Sequence, residues 1–185
     1  MTFIHSLQAY LSPFVHLAPY HLLSYGILLG TTVYQSFVNT KVCYQALPAS
    51  AFTTLQKRIF PVYFQIQTAL LMFTVLTVPP YGPVSFIQKK RDWVPLVFAS
   101  GMALLNLLIY GPRTQTAMME RVHQATRERT KPERKGTKSE PSNAMQTKNR
   151  QFSRTHAMSI HLNLLCMIAT VWYGTRLASR INLEV

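Results

Sequence analysis

Residues 59–78 read IFPVYFQIQTALLMFTVLTV and contain no charged side chain. A helix needs about 20 mostly apolar residues to cross the hydrocarbon core of a bilayer, because each residue adds about 1.5 Å to its length. Residues 17–38, 93–110 and 157–177 have the same character, and their interiors lack Lys and Arg. The sequence therefore predicts four transmembrane helices.

The overall composition agrees with this prediction. The chain of 185 residues is 48% hydrophobic and only 14% charged, whereas about a quarter of the residues of a soluble domain are charged. Its 19 Lys and Arg residues outnumber its 6 Asp and Glu residues. Because most of these positive charges fall between predicted membrane spans, we interpret them as membrane-facing and predict no nucleic-acid partner.

The predicted fold class is all-α, an integral membrane bundle of four transmembrane helices. Residues 1–16 have apolar side chains near helical spacing, interrupted by Pro13, and predict a short interfacial helix. They lack the basic start and the cleavage pattern of a signal peptide. Residues 17–110 hold spans one to three, and residues 157–185 hold span four and the tail.

Residues 111–156 form a long basic loop between spans three and four. Its first half, residues 114–129, contains no Pro or Gly and predicts a helix that projects from the membrane. Its second half, residues 131–148, is rich in Lys, Pro, Ser, Gly and Thr, which predicts disorder. Pro61 is expected in the first turn of span two, and Pro112 at the end of span three.

The distribution of basic residues predicts the orientation. The loops after spans one and three carry most of the Lys and Arg, so the positive-inside rule places them on the cytosolic (cis) side and both termini on the other side. The basic loop is expected to contact anionic lipid headgroups. We recognise no targeting motif that would indicate an organelle.

Polar side chains recur on one face of each span at spacings of three, four and seven, so the faces should meet inside the bundle. They form either a polar pathway or interhelical hydrogen bonds that only hold the helices together, each contributing about 0.6 kcal/mol. The candidates for a pathway are His21, Gln35, Tyr63, Gln67, Asn106 and Asn163.

The sequence favours neither an enzyme nor a cofactor site. It has no carboxylate pair, no His-Glu-x-x-His, no Gly-x-Ser-x-Gly and no phosphate-binding loop, so no catalytic residue is predicted. His156 and His161 are five residues apart and point to different faces of a helix, which predicts no metal site. Cys43 and Cys166 are interpreted as packing residues.

Three ordered motifs resemble a known family. Residues 60–64, Phe-Pro-Val-Tyr-Phe, resemble the Phe-Pro-x-Tyr-Phe element of the transmembrane protein 205-like family. Residues 112–118 resemble its Pro-Arg-Thr-x-x-Ala-Met element, and Phe152 and His156 resemble its Phe-x-x-x-His segment. The chain departs from the pattern at Gly111, where an acidic residue is frequent, and at Ala157, where Gly is frequent.

The resemblance implies a four-span bundle. The animal member of that family is linked to cisplatin resistance, through export in vesicles or across the membrane, and no catalytic residue is carried over. Arg113 and His156 lie in the shared motifs at the positive end of the predicted bundle. We predict that these two side chains contact a lipid headgroup or another anionic ligand.

The leading functional prediction is a membrane protein of transport or vesicle trafficking with an undefined substrate. The alternative is a structural or accessory subunit of a membrane complex, with homo-oligomers also open, and a lipid-handling enzyme comes third. A transporter needs its polar faces to line a hydrated cavity, whereas a scaffold pairs them. An enzyme needs a groove at the positive end of the bundle.

Overall fold

The computed structural model describes residues 16–85, 90–130 and 142–180, with the backbone alone for residues 90–92. Every regular element among them is helical, which confirms the all-α prediction for this part of the chain. The α-helices are α1 (Leu17–Val33), α2 (Thr40–Ala46), α3 (Ala49–Leu76), α4 (Lys90–Leu105), α5 (Gly111–Thr130) and α6 (Asn143–Ala178). The predicted interfacial helix falls, but for His16, outside the described residues.

Two π-helical turns join helices end to end. Tyr34–Asn39 connects α1 to α2, and Asn106–Tyr110 connects α4 to α5. A short 3₁₀ helix, Gly82–Val84, follows α3. The break between α2 and α3 lies at Leu47 and Pro48, where the backbone is extended.

Three helical stretches are long and apolar enough to cross a membrane: Ala49–Leu76, Trp93–Thr130 and Asn143–Ala178. They contain predicted spans three and four and all of predicted span two except Thr77 and Val78. The stretch from α1 to α2 is also continuous helix, but its many polar side chains keep it out of this group. Over the described residues the structure therefore gives three candidate spans, and the fourth stays a prediction.

The distribution of side chains between interior and surface is that of a membrane protein. Asn106 and Thr74 are completely buried, whereas Leu23 and Leu108 are 63% and 68% exposed. Lipid solvates apolar side chains but offers polar ones no partner, so a bundle in lipid buries its polar groups. A soluble bundle of this length would bury its leucines instead.

An apolar layer at the centre holds the four long helical stretches together. Helix α4 packs closely on α6, and α1 packs on α3. The residues that α4 and α6 contribute to the layer are small, which lets these two backbones approach closely. The layer is formed by Leu28, Leu71, Ala99, Ala103, Cys166 and Ala169.

The proline prediction for span two was wrong, and the helix of span three continues beyond its proline. Helix α3 begins at Ala49, so Pro61 lies in its interior rather than in its first turn. The helix does not end at Pro112 but continues to Thr130. The π-helical turn immediately before Pro112, closed by the Gly111 N–H donating to the Asn106 carbonyl, widens the helix where the proline N–H is missing.

The loop after span three is also shorter than predicted. Helix α6 begins at Asn143, so the prediction of disorder is wrong for residues 143–148, and residues 143–156 are not loop. The Ser142 hydroxyl starts the helix by accepting a hydrogen bond from the Met145 N–H at 3.1 Å. Helix α5 covers the helix predicted over residues 114–129. Residues 131–141 lie outside the described part.

Glycines differ sharply in their surroundings. At Gly174 of α6 an added Cβ would lie 1.7 Å from the hydroxyl oxygen of Tyr25 on α1. This close approach lets the Tyr25 O–H donate to the Thr170 carbonyl at 3.3 Å. At Gly26 and Gly30 an added Cβ would meet no atom within 4 Å. Gly174 is therefore required for the contact between α1 and α6, whereas Gly26 and Gly30 are not.

We expect Gly174→Ala to lower the free energy of unfolding by about 1–3 kcal/mol, because it forces Tyr25 away from Thr170. The matched control Gly26→Ala should leave it unchanged or raise it by up to about 1 kcal/mol. The free energies of unfolding of both variants are measured by thermal unfolding in detergent. Exposure of the buried Cys166 thiol, monitored with a thiol-reactive dye in a Cys43→Ser background, reports the unfolding. Equal stability of the two variants would contradict the assignment of this contact.

Candidate functional site

A hydrogen-bonded polar cluster at the centre of the bundle contains half of the predicted pathway residues. The Asn163 side-chain oxygen accepts from the Tyr63 hydroxyl at 2.8 Å and from the Gln67 amide at 3.1 Å. The Asn163 amide donates to the Ser36 hydroxyl at 2.9 Å. This central cluster links α3, α6 and the π-helical turn after α1. Its polar groups bond to one another, except the Gln67 side-chain oxygen, which is buried without a partner among the described residues.

A second cluster surrounds His21, which is 1% exposed. Its Nδ1 lies 2.9 Å from the Thr74 carbonyl oxygen, and its Nε2 lies 2.5 Å from the Tyr173 hydroxyl. A carbonyl only accepts, so Nδ1 donates to it and a neutral imidazole accepts from Tyr173 at Nε2. The Thr74 hydroxyl also contacts Ser24 at 3.1 Å. This cluster joins α1, α3 and α6.

The remaining pathway candidates lie in the two π-helical turns. The Asn39 amide donates to the Gln35 side-chain oxygen at 2.8 Å. The Asn106 amide donates to the Ser159 carbonyl at 2.9 Å. The Gln35 side-chain nitrogen Nε2 and the Asn106 side-chain oxygen Oδ1 are buried without a partner among the described residues. Such π-helical turns recur at functional positions of helices, and nothing in the sequence signalled them.

The predicted polar faces therefore pair across helices. His21, Tyr63, Gln67, Asn106 and Asn163 each bond to a neighbouring helical segment, which supports the interpretation as interhelical hydrogen bonds. None of the pathway candidates lines either of two large cavities that the described residues form. Both cavities lie at the basic end of the bundle, where the spans pass into the loops.

We expect single cysteines at Gln67, Asn106 and Asn163 to resist a membrane-impermeant maleimide in a Cys43→Ser/Cys166→Ala background, because these positions are buried and bonded. A cysteine at Thr53, which lines a cavity at the basic end, should react readily. The reaction is followed by mass shift in intact membrane vesicles that expose this end. Labelling at the three central positions would instead show a hydrated path through the bundle.

The first cavity, here called the aromatic groove, has a volume of about 790 Å³. It lies between α2 and α3 on one side and α5 and α6 on the other. Aromatic side chains form much of its wall: Tyr44, Phe52, Phe60, Phe64 and Phe152. This size and lining are typical of sites for small molecules.

Two polar groups in the wall of the aromatic groove have no protein partner. Gln56 is 6% exposed, and neither atom of its amide has a hydrogen-bond partner among the described residues. The Thr114 hydroxyl is also buried without one. Burying an unpaired polar group costs about 1–3 kcal/mol. Both residues line the groove, and a rotation of either side chain would turn its polar group toward a molecule that occupies it.

Basic side chains form one edge of the aromatic groove. The Arg121 guanidinium lies 4.9 Å from the centre of the Phe152 ring, a cation–π contact. The His156 ring stacks on Phe152 with centres 5.2 Å apart. Lys57 also lines the groove, and no carboxylate of the described residues does. A ligand with a negative or electron-rich group would be favoured there.

The second cavity, here called the arginine groove, has a volume of about 930 Å³ and is more open. Arg113 at the start of α5 lines it together with Arg150 and Arg154 of α6. His156 lines the aromatic groove instead, so the structure does not bring the predicted pair of Arg113 and His156 into one cavity.

Sequence reasoning missed Gln56, Arg150 and Arg154. Gln56 precedes the apolar stretch of span two and looked like part of a loop. Arg150 and Arg154 are four residues apart, a spacing that places two side chains on one face of a helix. The sequence predicted a loop at these positions, so this spacing did not indicate a shared face. No three His, Cys, Asp or Glu side chains of the described residues lie together as metal ligands.

These features define a helical membrane protein with two grooves at its basic end. Residues 23–123 match the family described as Domain of unknown function (DUF4149), and the chain belongs to this family. It is 44% identical over 173 residues to xanthocillin biosynthesis cluster protein D of Aspergillus fumigatus, covering 94% of this chain and 96% of that protein. No solved structure matches the chain.

Proposed function

We propose that this chain is a multi-pass integral membrane protein that binds a small, largely aromatic molecule in the aromatic groove. The buried amide of Gln56, which lines the groove and has no hydrogen-bond partner among the described residues, is the observation that carries this proposal. An amide offers two donors and an acceptor, so it can recognise a carbonyl, a hydroxyl or a similar group on the ligand. The aromatic wall would bury the rest of the molecule.

The role that fits such a site is the transfer or presentation of a small molecule at the membrane, in transport or trafficking. The groove lies where the spans meet the basic loops, so a ligand can enter it from the lipid headgroup region. The name of the Aspergillus relative refers to a biosynthesis cluster. From this name we take only the proposal that the ligand of this chain is a small organic molecule. The resemblance to the transmembrane protein 205-like family supports the same class of role.

The proposal includes four spans, with the continuous helix from α1 to α2 as the first. Its buried polar side chains bond to α3 and α6, so it can cross the membrane inside the bundle although it is less apolar than the other spans. The positive-inside rule would then place both grooves, with the basic loops, on the cytosolic (cis) side. Glycosylation-site tagging of both termini tests this orientation.

A structural subunit is the second candidate, and the paired polar clusters favour it. Side chains such as His21 and Asn163 bond only within the bundle in the contacts above, as expected of a scaffold. The two candidates differ in the aromatic groove. A scaffold has no use for the unpaired amide of Gln56, whereas a binding protein loses its ligand when this amide is removed.

Gln56→Leu should reduce ligand recovery on the order of tenfold, because the loss of hydrogen bonds to a buried group costs about 1–3 kcal/mol. The full-length protein is purified from native membranes, and the small molecules that accompany it are quantified by mass spectrometry. Gln45→Leu is the matched control, since Gln45 is exposed and does not line the groove.

Equal recovery from the wild type, Gln56→Leu and Gln45→Leu would exclude a ligand held by Gln56 and favour the scaffold. A melting temperature of Gln56→Leu at or above that of the wild type is also expected, because the substitution removes an unpaired buried amide. A marked fall in melting temperature would show instead that Gln56 supports the fold.

A further inference from the structure

Three exposed arginines from two helices line the arginine groove. Arg150 and Arg154 lie one turn apart on α6, and Arg113 joins them from the start of α5. Tyr110 and His161 complete this part of the wall. Like charges repel one another in a shared cavity. A groove lined by three arginines is therefore favourable for an anion.

No acidic side chain in the described part of the chain neutralises these arginines. The wall of the groove contains no Asp or Glu. The ion pair found among the described residues joins Lys148 to Glu120 at 2.7 Å and leaves the arginines out. Guanidinium groups bind phosphate oxygens through two parallel hydrogen bonds, which makes arginine the preferred side chain for this anion.

The position of the groove indicates where the anion comes from. Arg113 and Arg154 lie just beyond the apolar stretches 93–110 and 157–177, at the level of the lipid headgroups. The α6 face that carries Arg150 and Arg154 continues into the membrane as an exposed apolar surface of Met158, Leu165, Ile168 and Trp172. A phospholipid can place its phosphate among the arginines and an acyl chain along this surface.

We propose that the arginine groove is a binding site for an anionic phospholipid, whose phosphate contacts Arg113, Arg150 and Arg154. The acyl chain packs on the exposed apolar face of α6. A free phosphate ion would use the arginines but gain nothing from that face. The site shares no lining residue with the aromatic groove, so it does not depend on the function proposed for that groove.

The test uses the full-length protein in a neutral detergent, with phosphatidylglycerol, phosphatidylcholine and inorganic phosphate as probes. Bound lipid is counted by native mass spectrometry. We expect the wild type to retain phosphatidylglycerol at least about tenfold better than phosphatidylcholine. Arg150→Gln/Arg154→Gln should abolish this preference. Arg127→Gln/Arg129→Gln removes the same charge from exposed positions of α5 outside the groove and should preserve it.

Three results would overturn the proposal. An equal loss in both double variants would show a general effect of charge rather than a site. Equal retention of the two lipids by the wild type would exclude recognition of an anionic headgroup. Displacement of phosphatidylglycerol by millimolar inorganic phosphate would show that the groove binds a free anion and that the apolar face does not take part.

A further variant tests the proposal even if Arg150→Gln/Arg154→Gln impairs folding. Arg113→Gln changes the arginine on the other helix and should weaken the preference for phosphatidylglycerol, with Arg127→Gln as its control. Unchanged retention by Arg113→Gln would contradict the convergence of the two helices on one phosphate. Gln56→Leu should retain phosphatidylglycerol fully, which separates this site from the aromatic groove.

Discussion

The hydrocarbon core of a bilayer offers no hydrogen-bond partner, and this constraint governs the interior of the protein. A polar side chain at membrane depth therefore gains most from a partner within the bundle. Asn163 shows the result most clearly, since it bonds to Tyr63 and Gln67 on α3 and to Ser36 near α1. One amide thus links three helical segments, and Cys166 of the apolar layer lies about one turn further along α6.

The same constraint locates the sites of function. A polar group that serves the fold is paired, as His21 is with Thr74 and Tyr173. A buried polar group that is unpaired and lines a cavity calls for another explanation, and Gln56 is such a group. Both grooves lie where the spans pass into the basic loops. There a ligand can bring polar groups from the headgroup region and still bury an apolar body.

The sequence was sufficient for what depends on composition and spacing. The absence of charge predicted spans two to four, and the spacing of Tyr63, Gln67 and Asn163 predicted that they face the interior. The sequence did not predict where the helices end. The Ser142 cap and the π-helical turn before Pro112 extend helices beyond their apolar stretches. The prediction from sequence also paired Arg113 with the wrong partner. The rotation of α5 relative to α6 determines which of their side chains line the same groove. No local sequence pattern encodes this rotation.

The long α6 helix explains why the two grooves are distinct although they are neighbours. Phe152 and His156 are four residues apart and face the aromatic groove, whereas Arg150 and Arg154, also four apart, face the arginine groove. The two pairs are offset by two residues, which on a helix is a rotation of about 200°. Since α6 continues uninterrupted into the membrane, its apolar faces lead from each groove into different surroundings. The face below Phe152 turns toward the bundle at Ser159 and Asn163, and the face below Arg154 meets lipid at Leu165 and Trp172. Along α6, the aromatic groove therefore continues toward the interior of the bundle, whereas the arginine groove continues toward lipid.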